Sequence, residues 1–174
     1  PKFDFTNWDK VMKICAENGL RLRGQASTCN GQIPKWFFSE GYQYSGAYVT
    51  PEEMNARNEF YIRTIMEHVY NSEYGYLVYS WDLINEYYNT TGTDWVELYG
   101  EYSLSPDNLK RLYEAAADVL VKHNIRNQVS LVLNGYNTYY VSDPVNMPET
   151  VLTIANYINS DTKALDAIGM ETWM

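Results

Sequence analysis

The run Tyr-Leu-Val-Tyr-Ser-Trp-Asp-Leu-Ile at residues 76–84 leaves this chain few choices of fold. It is β-rich and continuously apolar rather than alternating, the pattern of a strand buried on both faces. Strands of that kind sit in parallel sheets, where crossover helices cover the faces. Further strand segments read as 20–24 (LRLRG), 129–134 (VSLVLN) and 165–171 (LDAIGME). Helical patterns fall between them. Thr6 with Asp9 three residues on is a capping-box-like start for a helix over 6–18, with Val11, Ile14 and Cys15 on one face. In the following strand, Leu20 and Leu22 share a face. Thr50-Pro51-Glu52-Glu53 is a stronger start, with an N-cap, proline at the first position and acids in the first turn. That helix is expected to reach about Tyr70, with Phe60, Ile62, Ile65, Met66 and Val69 on its buried side. Ser105-Pro106-Asp107 opens another through Leu109, Leu112, Ala116, Val119 and Leu120, and Pro148-Glu149 opens the last, to about Ser160.

Helix and strand therefore alternate four times, which predicts an α/β fold with a parallel sheet and helical crossovers. Segments 25–50 and 85–105 follow strands and are expected to be enlarged loops at the sheet's carboxyl end. Four parallel strands need cover at their edges, and a complete eight-stranded barrel takes roughly 250 residues. The 174 residues are accordingly expected to form about four βα units of a larger (β/α)8 TIM barrel.

A formal net charge of −9 argues against nucleic acid, whose binding depends on lysine and arginine neutralising phosphates. No apolar run is long enough for a membrane span. The two cysteines, Cys15 and Cys29, match no common metal spacing, and His68 and His123 read as surface or packing residues. Tyrosine is abundant at 17 copies; with an apolar face and a polar edge, it suits sugar binding.

Polar residues gather where the strands end: Gly24-Gln25, Asn85-Glu86, Asn134 with Tyr136, and Glu171 with Trp173. In a barrel these ends form the active-site rim. Glu86, directly after an apolar strand, is placed for proton transfer. Glycoside hydrolysis by such a group normally takes two carboxylates.

At these positions the chain resembles the family 10 glycoside hydrolases, mostly endo-β-1,4-xylanases. The similarity runs through FDFTNWDKVMKICAENGLRLRG (3–24), WDLINE (81–86), LNGYNT (133–138) and AIGMET (167–172). It implies that residues 1–174 are a partial barrel domain, from the family's second helix to its sixth strand. It also implies a xylanase-like hydrolase degrading β-1,4-linked plant polysaccharide, secreted or at the cell surface, needing no cofactor or metal. Carried over, Glu86 is the acid/base of a retaining mechanism, and Asn85 bonds the sugar's 2-hydroxyl. Asn134 and Tyr136 line the cleft, and Gln32, Pro34 and Trp36 match the loop after the third strand. The nucleophile lies outside the chain, and the remaining half of the barrel or another chain meets the sheet edges.

Several positions depart from the family pattern. Gln25 stands in place of a histidine, Cys29 and Asn30 in place of tryptophan and histidine, and Gly135 in place of aspartate. Glu171 and Trp173 replace a glutamine and a histidine. Glu171 then reads as a ligand for sugar hydroxyls rather than as a second catalytic carboxylate. Two outcomes fit these departures: a hydrolase with a rebuilt site, or a catalytically impaired carbohydrate-binding or structural domain.

Overall fold

The computed structural model describes residues 2–29, 32–87, 93–100 and 106–171, with only the backbone described over 26–29. Trp173, Asn30 and Ser105 lie outside the described residues, as does the Cys29 side chain. The elements in chain order are α1 (Thr6–Glu17), β1 (Leu22–Cys29), α2 (Pro51–Asn71), β2 (Val78–Asn85), α3 (Asp94–Tyr99), α4 (Pro106–Lys122), β3 (Ser130–Tyr136), the hairpin β4 (Val141–Ser142) and β5 (Val145–Asn146), α5 (Met147–Ile158) and β6 (Ala167–Glu171). One sheet holds β1-β2-β3-β6 in that order, and every pairing is parallel. Parallel neighbours need long crossovers, and α2, α4 and α5 supply them. Among the described residues no helix is long and apolar enough to cross a membrane.

The two faces of the sheet differ in chemistry. On one, Trp81, Ile84, Leu131 and Leu133 are buried in the main apolar cluster with Met12, Met66, Leu112 and Val119 from the helices. On the other, cross-strand pairing aligns Arg23 with Ser80, Asp82 with Val132, and Asn85 with Asn134. Asp82 is buried there, and both Arg23 Nε (3.0 Å) and Nη2 (2.7 Å) donate to its Oδ1. The carboxylate in turn holds the Arg23 guanidinium above its ordinary pKa.

Trp81 shows how closely the helix-covered face is fitted. Its indole stacks on Trp8 of α1, with ring centroids 6.0 Å apart, and its Nε1 donates to the Tyr70 hydroxyl at 2.8 Å. Burial pushes the Tyr70 phenol's pKa up, so the hydroxyl stays neutral. The ring's other side presses on β1, where a Cβ at Gly24 would lie 2.3 Å from Trp81 Cε3.

Thr50 caps α2 as expected, its Oγ1 accepting from the Glu53 N–H at 3.2 Å. The five apolar positions expected to be buried in α4 are all buried. Elsewhere the chain departs from expectation. Thr6 does not cap α1 but is its first residue, and the Asp4 carboxylate, two residues before it, accepts from the Thr6 N–H. In α1 Met12 and Cys15 are buried, while Val11 and Ile14 are half exposed. The buried stripe is thus rotated toward β2, where Trp8 meets Trp81. Leu20 is exposed and precedes the strand, because Leu20 N–H closes the end of α1 by bonding to the Cys15 carbonyl. Phe60 is exposed on α2 and leans on Phe3 instead of the core. β1 runs to Cys29, so Gln25 is mid-strand, opposite Asp82, rather than at the strand's end. The loop regions contain α3 and two 3-10 turns, and the β4–β5 hairpin had no counterpart in the sequence reading.

Since Trp81 is held from three sides, Gly24→Ala is expected to lower stability by about 1–3 kcal/mol, through overpacking. Urea denaturation followed by tryptophan fluorescence measures this in the protein carrying these residues. An unchanged midpoint would contradict the packing described.

Candidate active site

At the carboxyl ends of β2, β3 and β6, hydrogen bonds converge on Asn134, which is buried. Its Nδ2 donates to Asn85 Oδ1 at 2.6 Å and to Glu171 Oε1 at 2.6 Å. Its main-chain oxygen accepts from the Glu86 N–H at 2.9 Å. One residue thus holds Glu86 by the backbone and Asn85 by the side chain. Tyr136 is directly opposite Glu171 in the pairing of β3 with β6.

Glu86 follows the last residue of β2 and has a left-handed backbone, with φ 57°. A non-glycine residue pays roughly 1–2 kcal/mol for that conformation. The bond to Asn134 fixes the turn, and the chain leaves the sheet at the carboxylate instead of beyond it. Such outliers concentrate at functional sites.

Gly169 completes the cluster. A Cβ there would stand 2.3 Å from Asn134 Oδ1. The glycine is a notch in β6 that lets the Asn134 amide lie across the strand and reach Glu171.

The structure therefore brings together Asn85, Glu86, Asn134, Tyr136 and Glu171. It places Gln25 lower on the sheet, level with the Arg23–Asp82 pair, and Gln32 exposed in the loop after β1. That loop is fastened to α2 by Arg57, whose Nη1 donates to the Phe37 and Ser39 carbonyls at 2.8 and 2.9 Å. Sequence reasoning overlooked Arg57, Asp82 and Gly169. Asp82 had a legible signal, because a carboxylate within a doubly buried strand requires a cationic or hydrogen-bonding partner.

The sequence profile of glycosyl hydrolase family 10 matches residues 1–174. The chain belongs to this family. Among its relatives, endo-1,4-beta-xylanase A of Butyrivibrio fibrisolvens is 36% identical over 173 residues, covering 99% of this chain and 40% of that protein. A putative endo-1,4-beta-xylanase of Caldicellulosiruptor saccharolyticus is 29% identical over 139 residues, covering 80% of this chain and 43% of the relative. Of solved structures, the N-terminal endo-1,4-beta-D-xylanase of Clostridium thermocellum, complexed with xylohexaose, superposes with a TM-score of 0.76 at 22% identity, covering 94% of this chain and 33% of that one. An endo-1,4-beta-xylanase of Penicillium canescens gives 0.75 at 20% identity, covering 98% and 46%. These likenesses bear out the α/β fold: the four parallel strands are part of the family 10 (β/α)8 barrel. The chain spans less than half the length of these four proteins.

Gly169→Ala is expected to drive the Asn134 side chain from its place, separating it from Asn85 and Glu171. A crystal structure of the variant checks this directly, and an Asn134 amide still bonded to both partners would contradict the notch.

Proposed function

We propose that this chain is the acid/base-bearing part of a retaining, xylanase-like glycoside hydrolase acting on β-1,4-linked plant polysaccharide. The observation carrying this reading is Asn85-Glu86 at the end of β2, with Glu86 turned out of the strand and tied to Asn134. Family membership and relatives named as endo-1,4-beta-xylanases support it.

In the proposed mechanism Glu86 protonates the departing glycosidic oxygen while a nucleophilic carboxylate, supplied from outside these residues, attacks the anomeric carbon. Glu86 then takes a proton from water as the glycosyl-enzyme is hydrolysed. Asn85 hydrogen-bonds the sugar's 2-hydroxyl, an interaction that strengthens in the oxocarbenium-like transition state. Gln25, Gln32, Asn134, Tyr136, Glu171 and Trp173 contribute to the substrate cleft.

The partial-domain reading extends to the partners. β1 and β6 are the outer strands of the four, and Ile168 and Met170 on β6 are exposed, as are Val11 and Ile14 on α1. The remaining barrel elements, or another chain, cover these surfaces. The substrate is a polysaccharide or oligosaccharide, and membership of the family supports a location outside the cell or on its surface. The negative charge of the chain disfavours nucleic acid as a partner.

Glu86→Gln, made in the protein that carries these residues, tests the assignment. The rate on xylan is expected to fall by roughly 10²–10⁴-fold, the usual contribution of a general acid–base. The fall should be smaller on aryl β-xylosides whose leaving groups need little protonation. Equal rates for variant and parent on both substrates would remove Glu86 from the mechanism.

A further inference from the structure

The sheet has a second concave end. At the amino ends of β1, β2 and β3, opposite the rim, lies a cavity of about 310 Å³. Apart from Arg21, its walls come from the stretches leading into β2 and β3, the inner strands of the four. The eight residues of β2 separate it from the rim by about 23 Å. Tyr76, in its wall, is 72% exposed. The turn that carries this ring is tightly held. The Ser72, Gly75 and Leu77 N–H groups donate to the Val69, Ser72 and Tyr74 carbonyls at 3.1, 3.1 and 3.0 Å. A large ring is thus kept in water by a fixed backbone rather than a loose one. Arg21 is the second unusual wall residue. The other five arginines each have a carboxylate partner. Arg21 has none among the described residues, in a chain of net charge −9; its guanidinium lies over the Tyr79 ring, 4.4 Å from the centroid.

Around these two residues the wall offers hydrogen-bonding groups of both kinds. Arg21 only donates, Glu73 brings acceptor oxygens, and the Gln128 amide does both. A ligand that answers such a set gives and takes hydrogen bonds in turn, as sugar hydroxyls do. A tyrosine ring, apolar on its faces, suits the C–H side of a sugar. We propose that the cavity is a second carbohydrate-binding site, which seats one neutral sugar unit of a polysaccharide on Tyr76 while Arg21, Glu73 and Gln128 bond its hydroxyls. The inference rests on the glycosidase reading for the identity of that polysaccharide, a β-1,4-linked xylan. A strand's length from Glu86, the site takes no part in bond cleavage. It holds the polymer and so raises the effective concentration of chain at the rim. Substrates too short to meet both sites gain nothing from it.

The test compares the parent with Tyr76→Ala and Arg21→Gln in the full protein that carries these residues, on xylan and on an aryl β-xyloside. Both side chains are exposed, so neither change opens the core. On xylan each variant is expected to lose roughly threefold to tenfold in kcat/KM, the worth of one aromatic or hydrogen-bonded contact. On the aryl β-xyloside the rates should be unchanged. Equal losses on both substrates, or none on xylan, overturn the proposal. A second measurement needs no turnover: xylohexaose is titrated into 15N-labelled Glu86→Gln protein, with and without Tyr76→Ala. The Gln128 signals should shift when Tyr76 is present and stay fixed when it is removed, while those of Tyr136 at the rim shift in both. Unmoved Gln128 signals, or the same shift without Tyr76, overturn the proposal. If the parent hydrolyses neither substrate, the glycosidase reading falls, while the titration still decides whether the cavity binds sugar.

Discussion

A parallel strand with neighbours on both edges has no wet side, and β2 meets that condition in two chemically opposite ways. Toward the helices it is covered by packing: the Trp81 ring lies between Trp8 and the bare backbone of Gly24. On the other face it carries a carboxylate, Asp82, which is tolerable because Arg23 donates two hydrogen bonds to it. A buried charge stripped of such a partner is strongly destabilising. The rest of the sheet is arranged around this strand. β1 contributes both the glycine and the arginine, and β3 pairs along its opposite edge.

The rim inherits its order from the same strand. At the end of β2, Asn85 turns inward and Glu86 turns away, and both are tied to β3 through one residue, Asn134. A buried asparagine is itself a liability unless its amide is satisfied. Here that need is met by Asn85 and Glu171, so the bonds that stabilise Asn134 are also those that order the candidate site. Glu171 and Gly169 on β6 complete it, one by accepting and the other by leaving room.

Much of the layout was legible because burial leaves periodic marks. The continuous apolar run gave away β2, and the ends of such runs brought Asn85, Glu86, Asn134 and Glu171 to one rim. The α2 cap at Thr50 was legible because proline and two acids reinforced it. The Thr6 cap was not, since the helix already begins at Thr6 and the Asp4 carboxylate takes the Thr6 N–H, a choice that side-chain geometry decides. Phe60, Val11 and Ile14 were misplaced for a related reason: hydrophobicity alone does not say which side of a helix faces a neighbour. Gln25 was set at a strand end because the apolar pattern stops there, although parallel pairing carries β1 four residues further, to Cys29. The direction of the Asn134 bonds and the Gly169 notch belong to tertiary contact, and residue spacing does not encode them.

One irregularity in β2 has a consequence for the whole rim. The pairing with β3 slips by one residue between Asp82 and Ile84. In an even strand Trp81 and Asn85 are four apart and would look the same way. The extra residue reverses the phase, so that Trp81 faces the helices and Asn85 faces the interior. The strand changes its grammar midway: one stretch is read as scaffold, the next as chemistry. Forcing the same residues into even pairing, without the slip at Leu83, would exchange the two meanings, delivering the Asn85 amide to the oil and the Ile84 side chain to the cleft.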